Sequence, residues 1–428
     1  MSDCLHPIFV EKKRSILGAK HVSERLQKIY NDKSLVSSYA GSFVPCGRCA
    51  HCLKRRQQDL AARCSAAAQQ YGSMIFVTLT YRDADIPLSC VIEQVDLDTG
   101  EVWNYGKLYQ LRRKSRYQED DVFIDEVLRN VCISRNKSYR YTIKDLVELE
   151  GNLFRMVVTP SLYIRDVQLW LKRSRVSYER EYGSKLPDFK YVICGEYGNH
   201  STKRPHYHLA FFGLDKSHVD YLVSRWTYGF SYVQKVNAIN EDGTDGFALA
   251  AKYIGKYMTK GKFDCQSVDD GFAFKSRLCS SKHLAGELSP ALVSYFRCED
   301  LIGQYDIETP LPQDKLSVLL KELPKRSSVR IGNSYFVLPN VYKRQLWYVK
   351  DSDKVFRSSV VRVQIAESLS SDPVVEYRKK LLQYNPDLSY GEVLSMVAKF
   401  QTEQKAIADL TDEREMFVLQ NFYLTSNF

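Results

Sequence analysis

The sequence predicts an α+β fold, an antiparallel sheet with flanking helices followed by a mainly helical C-terminal region. Two observations carry this expectation. Segments rich in β-branched and aromatic residues alternate with segments of helical period in the order strand, helix, strand, strand, helix, strand, helix. After about residue 300 the composition turns helix-prone.

Taken in order, Cys46 to Tyr71 reads as a Cys-rich turn leading into an Ala-rich helix, closed by Gly72. Met74 to Tyr81 (MIFVTLTY) reads as a strand. Residues 84–160 show no clean period and are expected to form an insertion or subdomain. From Ser161 onward Ile164, Val167, Trp170 and Leu171 recur at helical spacing, and Gly183 ends the run. Phe189–Glu196 and His206–Phe212 read as strands joined by the polar YGNHSTKRP. A helix near Ser217–Trp226, a strand near Phe230–Val236 and a helix over about Phe247–Lys260 follow. Farther on, a hairpin is expected around Gly332-Asn333. Three segments result: 1–72, a Cys-rich segment and helix; 73–285, the sheet domain with its insertion; and 286–428, to which the sequence assigns no role.

The 428 residues carry 61 Lys+Arg against 51 Asp+Glu, a formal net charge of +10, and are 44% hydrophobic, which argues against wholesale disorder. Because no apolar run approaches the roughly 18 residues of a membrane span, and the start lacks an apolar signal core, a soluble protein with no membrane partner is expected. Eleven cysteines leave at least one unpaired in any disulfide scheme, which fits a reducing cytoplasm and makes clustered cysteines metal candidates. The positive charge suggests a polyanion partner.

His206-Tyr207-His208 lies in a strand-like stretch, so alternation puts both imidazoles on one face and Tyr207, Leu209 and Phe211 on the other. Glu196 ends the preceding strand, and a hairpin returns it beside the histidines. Two His and a carboxylate would leave positions open on a divalent ion. A polar strand face, or a salt bridge from Glu196 to Lys203 or Arg204, explains the same residues without a metal. In Tyr253-Ile254-Gly255-Lys256-Tyr257-Met258-Thr259-Lys260, helical spacing puts both phenols on one face, with Lys256 and Lys260 on an adjoining one. A phenol is a poor nucleophile at neutral pH and needs nearby positive charge or a polarised electrophile. The lysines could supply that charge; ordinary packing with solvated lysines is the plainer alternative.

Cys46, Cys49 and Cys52 can converge on one ion if a turn at Pro45 and Gly47 breaks the helix, with Cys64, Cys4 or His51 as fourth ligand. Structural Zn²⁺, an iron–sulfur cluster and plain reduced thiols all remain open. For phosphate contacts the candidates are Lys172, Arg173 and Arg175 on one helix, Lys203 and Arg204 before the histidines, and Lys252, Lys256, Lys260 and Lys262 around the tyrosines. The many tyrosines could stack unpaired bases.

Two histidines flanking a bulky hydrophobic residue, followed by paired helical tyrosines, resemble the HUH endonucleases. Thr78-Leu79-Thr80, Arg204-Pro205-His206-Tyr207-His208 and the tyrosine pair are similar to the replication initiators of microviruses over about residues 74–262. PCGRCAHCLKRR and RDVQLWLKRSR are similar to the gokushovirus type. The resemblance implies an HUH-type antiparallel sheet and a rolling-circle initiator that nicks single-stranded phage DNA at its origin. His206 and His208 would hold Mg²⁺ or Mn²⁺, with Glu196 as third ligand; related families differ there by one residue, and the next position here is Tyr197, a poor ligand. Tyr253 or Tyr257 would take the 5′ phosphate, leaving a 3′ hydroxyl for a host DNA polymerase working with a helicase in the host bacterial cytoplasm. Rival expectations are a plasmid relaxase or transposase, which often carries a single tyrosine, and a noncatalytic single-stranded DNA-binding protein.

Overall fold

The computed structural model describes residues 4–6, 8–11, 41–111, 142–198, 204–260, 271–350, 356–369 and 373–425. The chain forms two compact units, one of residues 1–62, 287–331 and 335–428, the other of residues 63–286 and 332–334. The first begins with paired strands β1 (Ile8–Glu11) and β2 (Gly41–Val44). Helix α1 (Ala50–Tyr71) follows a turn in which Gly47 takes φ +75°, a conformation that favours a residue without Cβ.

Among the described residues, the second unit holds two antiparallel sheets. Strand β3 (Ile75–Thr80) belongs to a five-stranded sheet. The next four strands, β4 (Leu88–Asp96), β5 (Val102–Leu111), β6 (Thr142–Leu149) and β7 (Asn152–Pro160), form a sheet of their own in the order β5-β4-β7-β6. In the described parts, residues 84–111 and 142–160, the stretch without a clean period is therefore mostly β-structure. Register shifts at Cys90/Ile92 and Asp145/Val147 interrupt the alternation, and apolar side chains such as Trp103, Tyr109, Val147 and Leu149 are exposed. Both departures erase a period of two. The basic run that follows Leu111 lies outside the described residues.

Helix α2 (Ile164–Tyr182) ends at Gly183, whose φ of +67° and N–H bond to the Glu179 carbonyl close it in a left-handed cap. Then come β8 (Lys190–Tyr197), β9 (Pro205–Phe212), α3 (Lys216–Ser224), β10 (Ser231–Lys235), α4 (Gly246–Lys260) and β11 (Leu278–Ser280). The sheet order is β10-β3-β9-β8-β11, with every pair antiparallel. One face supplies Ile75, Val77, Leu79, Ile193, Tyr207, Leu209 and Phe211 to a core closed by Val167, Trp170 and Leu171 of α2 and Val219 and Leu222 of α3. Burying one Leu- or Phe-sized side chain there contributes about 1.5–3 kcal/mol.

The rest of the first unit is mainly helical: α5 (Pro290–Phe296), α6 (Glu299–Ile302), α7 (Gln313–Glu322), α8 (Asn340–Trp347), α9 (Val360–Leu369), α10 (Pro373–Tyr384) and the 36-residue α11 (Tyr390–Thr425). Along the same stretch of sequence run two described hairpins, β12 (Ser328–Ile331) with β13 (Ser334–Val337) around Gly332-Asn333, whose residues 332–334 count with the second unit, and β14 (Tyr348–Lys350) with β15 (Phe356–Ser358). Among the described residues no helix is long and apolar enough to cross a membrane.

Candidate active site

Because strand side chains alternate, the face opposite the α2–α3 core receives His206 and His208 from β9. Pairing sets Thr78 and Cys194 beside His208, and Thr80 and Glu196 beside His206. The His206 Nε2 lies 3.1 Å from the His208 Nε2. The Glu196 carboxylate stands 3.5 Å from the first and 3.6 Å from the second, and is buried, with 7% of its side chain exposed. Glu196 thus meets the histidines, whereas the Arg204 guanidinium donates to the Tyr81 carbonyl and the Asp83 carboxylate.

Each imidazole is oriented through its other nitrogen. His206 Nδ1 is 3.0 Å from the Arg204 carbonyl, which can only accept, so Nδ1 is the donor of that bond, and in the neutral ring this leaves the Nε2 lone pair facing His208 and Glu196. His208 Nδ1 lies 3.2 Å from the Thr78 hydroxyl, a contact that serves the same end when the ring donates. At 3.1 Å apart, the two Nε2 atoms are close enough to contact one and the same ion. With the carboxylate, all three donors lie within 4.8 Å of one another. The donor set suits a divalent cation. Sequence reasoning did not identify Thr78 or the Arg204 carbonyl as orienting groups, because strand register reveals them and local sequence does not.

Helix α4 brings the tyrosines to this face. Its first turn is held by Asp245, which accepts from the Ala248 N–H at 2.9 Å. Gly246 packs so closely on the Asn237 carbonyl that a Cβ would overlap it. Ala251 and Ile254 face inward and are buried. Tyr257 stacks on His208, with ring centroids 4.7 Å apart and planes at 21°, and its hydroxyl donates to that of Tyr253 at 3.0 Å. Burial, and then the Glu196 carboxylate, push the Tyr257 phenol well above its ordinary pKa. Tyr253 packs edge-on against Phe76, and the Lys256 ammonium sits 5.2 Å from the centre of its ring, a cation–π arrangement.

Other expected contributors are placed differently. Tyr197 points into the opposite core, where its hydroxyl donates to the Phe274 carbonyl at 2.7 Å and accepts from the Leu162 N–H at 3.0 Å. Lys172 and Arg173 are exposed on α2, the helix that covers the far face of the sheet, so the structure does not gather them with the tyrosines. The Arg175 guanidinium packs over Phe189, 4.4 Å from its ring centre. Lys252 is exposed on α4. Lys203, Lys262 and the Lys260 side chain lie outside the described residues.

The cysteine cluster draws its fourth member from Cys4. The thiols of Cys4, Cys46, Cys49 and Cys52 converge within 4.8 Å. Cys64 is excluded because it follows Cys52 by three turns of the same helix, about 18 Å of rise. His51 is instead bonded to the Glu415 carboxylate at 3.1 Å.

No curated protein and no solved structure matches the chain. Residues 158–262, from the end of β7 through α4, match a family described as replication-associated protein, a similarity consistent with a replication initiator that binds DNA.

Proposed function

We propose that the chain is a metal-dependent, tyrosine-type endonuclease and ligase that nicks single-stranded DNA at the origin of a phage genome and starts rolling-circle replication. The observation that carries this reading is the stacking of Tyr257 on His208, which brings a hydrogen-bonded pair of phenols up to the His-His-Glu cluster. The match over residues 158–262 spans both halves of that site.

His206, His208 and Glu196 would hold Mg²⁺ or Mn²⁺, which when bound supplies Lewis-acid polarisation of a non-bridging phosphate oxygen. The protein's own groups do the rest. One phenol oxygen attacks phosphorus in line, its proton passes to solvent, and the 3′ oxygen of the scissile bond leaves as a hydroxyl. The product is a 5′-phosphotyrosine ester, which conserves the bond energy, so resealing needs no nucleotide triphosphate. Lys252, Lys256 and Lys260 offer charge to the phosphates flanking the cut. The doubled tyrosine lets one residue keep the DNA end while the other cuts the regenerated origin, after which the freed 3′ hydroxyl attacks the first linkage and closes a circle. A host polymerase and helicase would act on the exposed 3′ end in the bacterial cytoplasm.

The test is incubation with an origin-like single-stranded oligonucleotide and Mn²⁺, followed by denaturing electrophoresis. A covalent protein–DNA adduct should survive Tyr253→Phe or Tyr257→Phe alone and vanish in the double variant. An adduct in the double variant overturns the assignment of nucleophiles. Binding without any adduct in the wild type would leave the tyrosines as base-stacking groups.

A further inference from the structure

We propose that Cys4, Cys46, Cys49 and Cys52 bind one Zn²⁺ as a structural site, separate from the nicking chemistry, that fastens the start of the chain and the first turn of α1 to the C-terminal helix α11. Three features of the first unit support this.

The first is ligand geometry. Four thiolates about 2.3 Å from a zinc ion in a tetrahedron lie about 3.8 Å from one another. Here Cys4 Sγ is 3.9 Å from Cys49 Sγ, and Cys46 Sγ is 4.0 Å from Cys52 Sγ. The second is the set of donors around the sulfurs. The N–H groups of Arg48 and Cys49 point at Cys46 Sγ at 3.4 and 3.3 Å, and the Cys46 N–H points at Cys4 Sγ at 3.2 Å. Backbone donors aimed at sulfur offset the negative charge that four thiolates leave on a dication. Gly47, at φ +75°, makes the turn that aims two of them. Four protonated thiols need none of these donors.

The third is what the cluster holds in place. Two residues beyond Cys4, His6 Nε2 is 3.2 Å from the Asp412 carboxylate. The other oxygen of that carboxylate accepts from the Ala50 N–H at 2.7 Å, the first residue of α1. One turn along α11, Glu415 bonds both His51 and Lys54. The bonds on α11 therefore come from residues flanking the four sulfurs, and fixing the sulfurs fixes the partners of Asp412 and Glu415.

Metal analysis of the full-length protein purified under reducing conditions tests the proposal. One equivalent of zinc is expected, and it should persist in the His206→Ala/His208→Ala double variant, which removes the other candidate site. Cys4→Ala should lose it and Cys64→Ala should keep it. Because a cysteine variant can fail to fold, the wild type should also be stripped with a chelator. Tryptic cleavage within α11 should then rise at least tenfold and fall back on adding Zn²⁺, and Co²⁺ in its place should give thiolate-to-cobalt charge-transfer absorption. Purified protein with four free thiols and no zinc, iron in place of zinc, zinc lost with Cys64 rather than Cys4, or α11 cleavage indifferent to the metal would each overturn the proposal.

Discussion

The register of the third ligand can be tested by changing two adjacent residues that point to opposite faces of one strand. Glu196 faces the imidazoles, and Tyr197 faces the core. Tyr197→Phe removes only a hydroxyl, but that hydroxyl serves the Leu162 N–H and the Phe274 carbonyl in a residue that is 4% exposed. Depriving the buried Leu162 N–H and the part-buried Phe274 carbonyl of that partner costs about 1–2 kcal/mol each. At roughly 2–4 °C per kcal/mol for a domain of about 200 residues, the melting temperature should fall by roughly 4–16 °C. Mn²⁺ affinity should hold, because the lost atom is on the wrong side of the sheet. Glu196→Gln should do the reverse, weakening Mn²⁺ at least tenfold with little thermal cost, since it neutralises a buried carboxylate and keeps its shape. Calorimetric Mn²⁺ titration and thermal unfolding of both variants read the two effects. Loss of Mn²⁺ binding in Tyr197→Phe with retention in Glu196→Gln would refute the register and the proposed ligand set together.

Two further predictions concern stability. Lys343 on α8 is partly buried, and desolvation, then the charge of Arg55, lowers its pKa to about 8. Its charged form is thus disfavoured in the folded protein: the full penalty applies below pH 8, stability recovers as pH rises from 8 towards the unfolded value near 10.5, and the penalty is gone above it. Lys343→Met should therefore stabilise the first unit at pH 7 by about 2–3 kcal/mol, with the difference from wild type shrinking between pH 8 and 10.5 in denaturant titrations. Gly229→Ala should destabilise the sheet domain by about 1–3 kcal/mol, read as a lower unfolding midpoint, because the new Cβ would fall 2.6 Å from Arg82 N and overlap the Thr80 carbonyl. A wild-type midpoint would mean that the crossing of Gly229 over β3 is looser than described.

Much of the sheet domain is legible locally. The helix ended by Gly183, the His-x-His strand and the helix carrying Tyr253 and Tyr257 each follow from a period of two or 3.6 and a stop residue, and the structure has each within a few residues. The described parts of 84–160 are not legible, because bulges and exposed apolar side chains remove the period that local reading depends on. The placement of the basic residues was not legible either. Trp170 and Leu171, together with Val167, commit the helix of Lys172 and Arg173 to the far face of the sheet, so these two exposed residues are not gathered with the tyrosines.

By itself, the sequence determined which chemistries are present: two imidazoles on one strand face, paired phenols on one helix face, and cysteines at three-residue steps. Alternation and helical pitch are properties of neighbouring residues, and need no tertiary partner. Only the tertiary structure decided which of these groups meet. Antiparallel pairing set Glu196 opposite His206 and turned Tyr197 away, the crossing of α4 stacked Tyr257 on His208, and the chain's return to α1 chose Cys4 over Cys64. Those choices depend on contacts between residues far apart in the chain, where burial and register, and not local propensity, set the distances.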